Sequence, residues 1–293
     1  MTRSRRSGFP MPARAIHSTA RVQGAAVLAA VLLAGCSAAQ QHRHELDQFG
    51  FVFYADGAGG GSILTDWGRG VAQGLKQAGY PGDFRSFHWH TGLGVAADQS
   101  ASVEYKRQQA EKLAGEISAY AAEHPGRPVH LVALSAGTAV AVFALEALPE
   151  RYPVERVVLL GSSLSSHYDV SNALRRVRDR LYVFTSDKDA VLGGLVPLAG
   201  TADRQFCGAC AAGLRGFHLS ARADAATRAL YTRIENIAWR PEFASSENYG
   251  GHTDAVNPAF VRTYVAPLLR ADGPRFVEAG AAPIARDAQP SPR

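Results

Sequence analysis

The sequence lacks any stretch of the roughly 20 apolar residues that a helix needs to cross a bilayer; the run AAVLAAVLLA at 25–34 is too short. Internal repeats are absent as well, which excludes solenoid and propeller architectures. No basic groove interleaved with aromatics can be traced, and the net charge of +5 has a local source. Arg3, Arg5, Arg6, Arg14 and Arg21 precede residue 25 with no acidic residue among them, so the remaining chain is close to neutral. Nucleic-acid binding is therefore not expected. His88 and His90 have no third ligand at a recognisable spacing, so neither a metal nor any other cofactor is expected. The glycine-rich stretch at 56–61 lacks the lysine of a phosphate-binding loop.

What is present is an ordinary globular composition, with 46% hydrophobic and 19% charged residues over 293 positions. That length suits a single α/β core. At the amino end, a basic segment, the apolar run at 25–34 and small residues after it describe a secretory signal, with Met11 as an alternative start. Leu33-Ala34-Gly35-Cys36 resembles the lipobox of bacterial lipoproteins. The resemblance implies that residues 1–36 are the signal region and that Cys36 is lipidated. It also implies export and anchorage to the bacterial envelope, at the outer membrane or cell surface. Residues 37–48 read as a polar tether, and 271–293, rich in Ala, Pro, Asp and Arg, as a disordered tail. In an oxidising compartment, Cys207 and Cys210 are expected to form a small-loop structural disulfide; their spacing also occurs in redox motifs.

Between tether and tail, strand and helix patterns alternate. Strands are expected at 49–55, 84–90, 129–134, 157–160, 181–185 and 234–239. Helices are expected at 66–78, 102–123, 136–148 and 171–179, with a closing helix at 256–270. This alternation predicts an α/β fold with a mostly parallel twisted sheet and helices on both faces.

The chemistry concentrates in four places. At 129–139, a strand runs into Ser135, with Ala133 and Gly137 two positions to either side, and a helix follows at once. Small neighbours are required because such a turn is tight, and it lifts the serine to the positive end of the helix. A serine hydroxyl needs a base. Asp187 and Asp189 follow the strand at 181–185, and His252 follows Gly250-Gly251 before the closing helix. His218 is the other histidine of that region, without such a setting. Asp56-Gly57-Ala58-Gly59-Gly60 follows the first strand.

Taken in this order, the motifs at 49–270 resemble the α/β-hydrolase family, serine esterases and lipases among them. The resemblance implies a triad of Ser135, His252 and an acid, Asp189 being favoured over Asp187 by its place before a small apolar pair. It implies an oxyanion hole at the N–H groups of Ala58 and Ala136, although Asp56 stands where the family commonly has histidine. The implied reaction is hydrolysis of a small-molecule or lipid ester through an acyl-enzyme. Residues 192–231 are long enough for a small lid, and His88, Trp89 and His90 are expected near a ligand at the end of their strand. A catalytically idle hydrolase fold with a binding role is the alternative.

Overall fold

The structure, a computed structural model, describes residues 49–61 and 65–270, all of which belong to a compact unit that begins at Leu46. The expected signal region, Cys36, the tether and the 271–293 tail lie outside the described residues.

Six strands form one sheet: β1 Phe51–Ala55, β2 Asp83–Phe87, β3 Val129–Leu134, β4 Val154–Leu160, β5 Val177–Thr185 and β6 Ile234–Ala238. Their order is β2-β1-β3-β4-β5-β6, and every pair is parallel. This is an α/β fold built on an all-parallel sheet. Both faces are covered, so the central strands read as continuous apolar runs, and FVFYA and VHLVAL are buried throughout.

Alternate side chains divide the core. Phe51 and Phe53 join Leu113, Ile117 and Tyr120 of α3 (Val103–Glu123) and the apolar helix α4 (Gly137–Ala147). Val52 and Tyr54 face the other way, onto Val71 and Leu75 of α1 (Gly68–Gln77) and onto Phe260, Val261 and Val265. Ser102 caps α3 by accepting the Tyr105 N–H. Between β2 and α3 lies the short α2 (Val95–Ser100).

Several boundaries differ from those expected, β4 for example beginning at Val154 rather than 157, and three of the differences have a local cause. β2 ends at Phe87 rather than at 90, because Trp89 turns inward and donates its indole N–H to the Asp56 carbonyl at 2.8 Å. The helix expected at 171–179 is only α5 (Ser171–Leu174). Beyond it, Val177 pairs with Val154 and the chain lengthens β5, while Arg156 on β4 forms a 2.6 Å ion pair with Asp179. The helix expected at 256–270 is a succession of short turns over 254–269, in which Pro258 and Pro267 interrupt regular hydrogen bonding.

His130 on β3 is buried, its Nδ1 has no hydrogen-bond partner, and its ring meets Tyr80 edge-on. Burial, helped by the positive charge of Arg156, lowers its pKa to about 3. A histidine held neutral in the fold but free to protonate when unfolded subtracts stability as pH drops below its unfolded value, near 6.5, and continues to do so down to about 3. The expected loss is about 1.4 kcal/mol per pH unit across that window. Denaturant unfolding of the parent and of His130→Leu between pH 7 and 4 checks it. The variant should lose stability less steeply with acid, and parallel slopes would remove His130 as the cause.

Candidate active site

Ser135 sits at the junction of β3 and α4 with φ of 50°, a left-handed conformation that costs a non-glycine residue energy. The turn is held from below. The Ser135 N–H donates to the Leu160 carbonyl, and its own carbonyl accepts from the Thr138 N–H and from Thr138 Oγ1 at 2.5 Å. Thr138 Oγ1 also meets Ser162 Oγ at 2.9 Å. Gly137 is obligatory here: a Cβ on it would lie 2.2 Å from the Asp56 carbonyl and 2.4 Å from that of Ala55. The elbow is thus pressed against the end of β1.

His252 Nε2 lies 2.8 Å from Ser135 Oγ, and its Nδ1 lies 2.7 Å from Asp189 Oδ2. The other Asp189 oxygen accepts the N–H groups of Val191 and Leu192, which fixes the buried carboxylate. Asp187 is exposed, and Asp189 is the aspartate that reaches His252. The histidine loop is braced too. Asp254 Oδ2 accepts from Tyr249 and Gly251 N–H, and Ser186 Oγ donates to the Gly250 carbonyl at 2.7 Å. Gly250 has φ of 96°, which suits glycine. His218 lies elsewhere, its ring 5.9 Å from that of His167 beside the Cys207–Cys210 disulfide.

The loop after β1 turns tightly, Gly60 N–H donating to the Gly57 carbonyl, with Gly59 at φ of 77°. Ala58 lines one cavity with Ser135 and His252, and Ala136 is the residue that opens α4. Asp56 Oδ1 accepts from the Tyr54 hydroxyl at 2.9 Å and from Gly57 N–H at 2.8 Å. Its Oδ2 is buried without a hydrogen bond; the Gly61 backbone lends only a looser electrostatic contact. Burial raises this carboxyl above the usual range, against the hydrogen bonds from Tyr54 and Gly57.

Several supports of that loop had no motif to betray them in the sequence. The buried Asp98 of α2 accepts Gly59 N–H through Oδ2 at 2.8 Å, and Thr91 N–H and Oγ1 through Oδ1 at 2.7 and 2.6 Å. His90 Nε2 lies 2.8 Å from the Gly57 carbonyl, and Trp89 is completely buried. The buried Lys106 donates to the carbonyls of Gln99 and Ala101 and so closes α2. Burial and the nearby Arg204 lower its pKa to about 8, against the pull of Asp203 and Asp98. The only available cue was a set of polar residues directly after a strand end. Among the described residues, no group of three or more His, Cys, Asp or Glu side chains could hold a metal ion.

The expected lid region is partly wall and partly core. Val191, Val196 and Ala199 line the cavity, whereas Phe217 joins the main core. A π-turn at Val191–Leu195 leads into α6 (Val196–Ala199), and α7 (Ala212–Arg215) and α8 (Ala225–Tyr231) follow.

No family model and no curated protein matches the chain. Among solved structures, a cutinase-like protein from Cryptococcus sp. is 13% identical, with 74% of this chain and 90% of that one covered and a TM-score of 0.38. An acetyl xylan esterase is 14% identical over 73% and 96% of the two chains, with a TM-score of 0.40. A second acetylxylan esterase structure is 12% identical over 76% and 95%, at 0.39. Likenesses of that size carry nothing about this chain's activity; the description of the site rests on its own geometry.

Removing the Asp98 carboxylate leaves the Gly59 and Thr91 N–H groups without their acceptor in a half-buried place. Asp98→Ala is expected to cost ~2–4 kcal/mol in denaturant unfolding, and Asp98→Asn, which keeps one acceptor oxygen, clearly less. A loss within about 0.5 kcal/mol for Asp98→Ala, the range of an ordinary surface change, would mean that the loop holds without this brace.

Proposed function

We propose that this chain is a serine hydrolase that cleaves carboxylic esters through an acyl-enzyme. The observation that carries the reading is the hydrogen-bonded line from Asp189 through His252 to Ser135, which ends on a strained turn at the floor of an apolar cavity. In the proposed reaction, His252 Nε2 takes the Ser135 proton as Oγ attacks the ester carbonyl carbon. Asp189 holds Nδ1–H toward itself, keeps Nε2 free to accept, and stabilises the imidazolium. The N–H groups of Ala58 and Ala136 receive the developing oxyanion. The intermediate collapses as His252 returns the proton to the leaving alkoxide. A water molecule, deprotonated by the same nitrogen, then attacks the acyl carbon and releases the acid and Ser135.

The cavity walls favour an ester with an apolar group. Leu134, Val191, Val196, Ala199, Trp67 and Val95 surround the nucleophile, and none carries a charge. The basic amino-terminal segment, the apolar run and the Leu-Ala-Gly-Cys sequence support a further part of the reading, in which the chain is exported and held at the bacterial envelope by a lipid on Cys36.

Fluorophosphonate labelling, with p-nitrophenyl butyrate turnover beside it, tests the chemistry. Labelling should vanish in Ser135→Ala. Asp189→Asn should lower kcat about 10⁴-fold by favouring the wrong imidazole tautomer, whereas Asp187→Asn should stay near the parent. A folded chain that neither labels nor turns over any ester would sink the enzyme reading and leave a binding role. Equal losses in the two aspartate variants would overturn the assignment of the acid.

A further inference from the structure

The cavity over Ser135 has a volume of about 330 Å³, and two stretches of chain contribute to its wall. One is TGLGVAA at 91–97 and the other VLGGLVPLAGTA at 191–202, and neither contains a charged residue. Gln99, two residues beyond the first stretch, donates its Nε2–H to the Gly200 carbonyl of the second at 3.2 Å. Six large apolar side chains stand exposed among the described residues, and four of them lie on or beside these stretches, termed the rim: Leu93, Val95, Leu198 and Phe206. Leu93 and Leu198 are 82% and 81% exposed, so neither supports the fold by packing. Leu93 rides on a tip between Gly92 and Gly94, both at positive φ, and the base of that tip is fixed by Asp98 on Thr91. Phe206 lies against Gly200 on the other side, with the Arg204 guanidinium 5.4 Å from its ring centre.

We propose that this rim docks on the surface of aggregated lipid, so that the ester entering the cavity is drawn from a lipid phase. The inference rests on Ser135 being the nucleophile and names the form in which its substrate is presented. A protein partner would ask for about one hydrogen bond per 100–200 Å² of contact. The polar side chains of the rim are already engaged within the chain, Thr91 with Asp98 and Thr201 with Gln205. A lipid surface needs no such partners. It rewards apolar tips, and a cation beside an aromatic ring suits the boundary between acyl chains and headgroups. The patch is also continuous with an apolar cavity that ends at the nucleophile, so an acyl chain leaving a lipid layer meets apolar surface along the whole path.

The test uses the full chain carrying Cys36→Ser, which removes any acyl anchor, with and without Leu93→Ser/Leu198→Ser. Turnover of soluble p-nitrophenyl butyrate should be unchanged by the double substitution. Hydrolysis of an ester presented in phosphatidylcholine vesicles should fall about tenfold or more, as should co-sedimentation with those vesicles, since two Leu side chains lose their apolar contact. The co-sedimentation is repeated on Ser135→Ala, so vesicle binding is read even where no ester is hydrolysed. Loss of binding upon Leu93→Ser/Leu198→Ser in that background supports the surface independently of the reaction. Vesicle activity and co-sedimentation equal to the parent's would overturn the proposal.

Discussion

Everything at the site depends on how closely the Ser135 turn approaches the end of β1. The backbone at Ser135 is left-handed, and Gly137 lies so near the Ala55 and Asp56 carbonyls that no side chain fits there. That contact fixes the Ser135 turn and the loop at 56–60 relative to each other, since β1 and β3 are also register partners, with Ala55 opposite Ala133. The strain is tolerable because the surroundings over-determine it. Leu160 on β4 takes the Ser135 N–H, while Thr138 and Ser162 hold its carbonyl side. A one-residue change in the register of β3 would turn its apolar faces the wrong way and move Ser135 from the cavity.

The elbow, the sheet and the histidine loop were legible in the sequence because each follows a local rule. Val129–Leu134 reads as a buried strand by its apolar run, and it occupies those bounds. Gly137 marks the turn through the absence of a side chain, and Gly250 marks the bend before His252. The less legible parts depend on contacts distant along the chain. Residues 177–179 look helical until β4 lies alongside and Arg156 faces Asp179. Asp98 has no motif around it, because its partners are Gly59, on a loop 39 residues earlier, and Thr91. His88 and His90 looked paired on a strand face, but the strand stops first, and His90 serves the Gly57 carbonyl. Between the two aspartates the sequence favoured Asp189 by position alone, and in three dimensions Asp187 is exposed while Asp189 is buried against His252.

Buried polar groups are costly unless partnered. In this chain Asp56, Asp98, Lys106 and Asp189 are buried, and the partners found for them are mainly backbone atoms of loops. Loops cannot be fixed by helix or sheet ladders, so side chains take over that work. The apolar cavity can therefore be lined by short segments, such as α2 and the turn at 191–195, and still keep a defined shape.

Asp56 bears on the proposed chemistry in a way that its position alone obscures. A carboxylate near an oxyanion would oppose the very charge that the loop is proposed to receive. The fold reduces that conflict in two ways. Burial raises the pKa of this carboxyl, so desolvation weighs against its charged form. The Tyr54 hydroxyl and Gly57 N–H then bind the oxygen that retains charge density and draw it toward β1. These two hydrogen bonds favour ionisation, so the direction of the shift shows desolvation outweighing them. The aspartate thereby shapes the turn through Gly57, with desolvation and hydrogen bonding acting on its carboxyl in opposite directions.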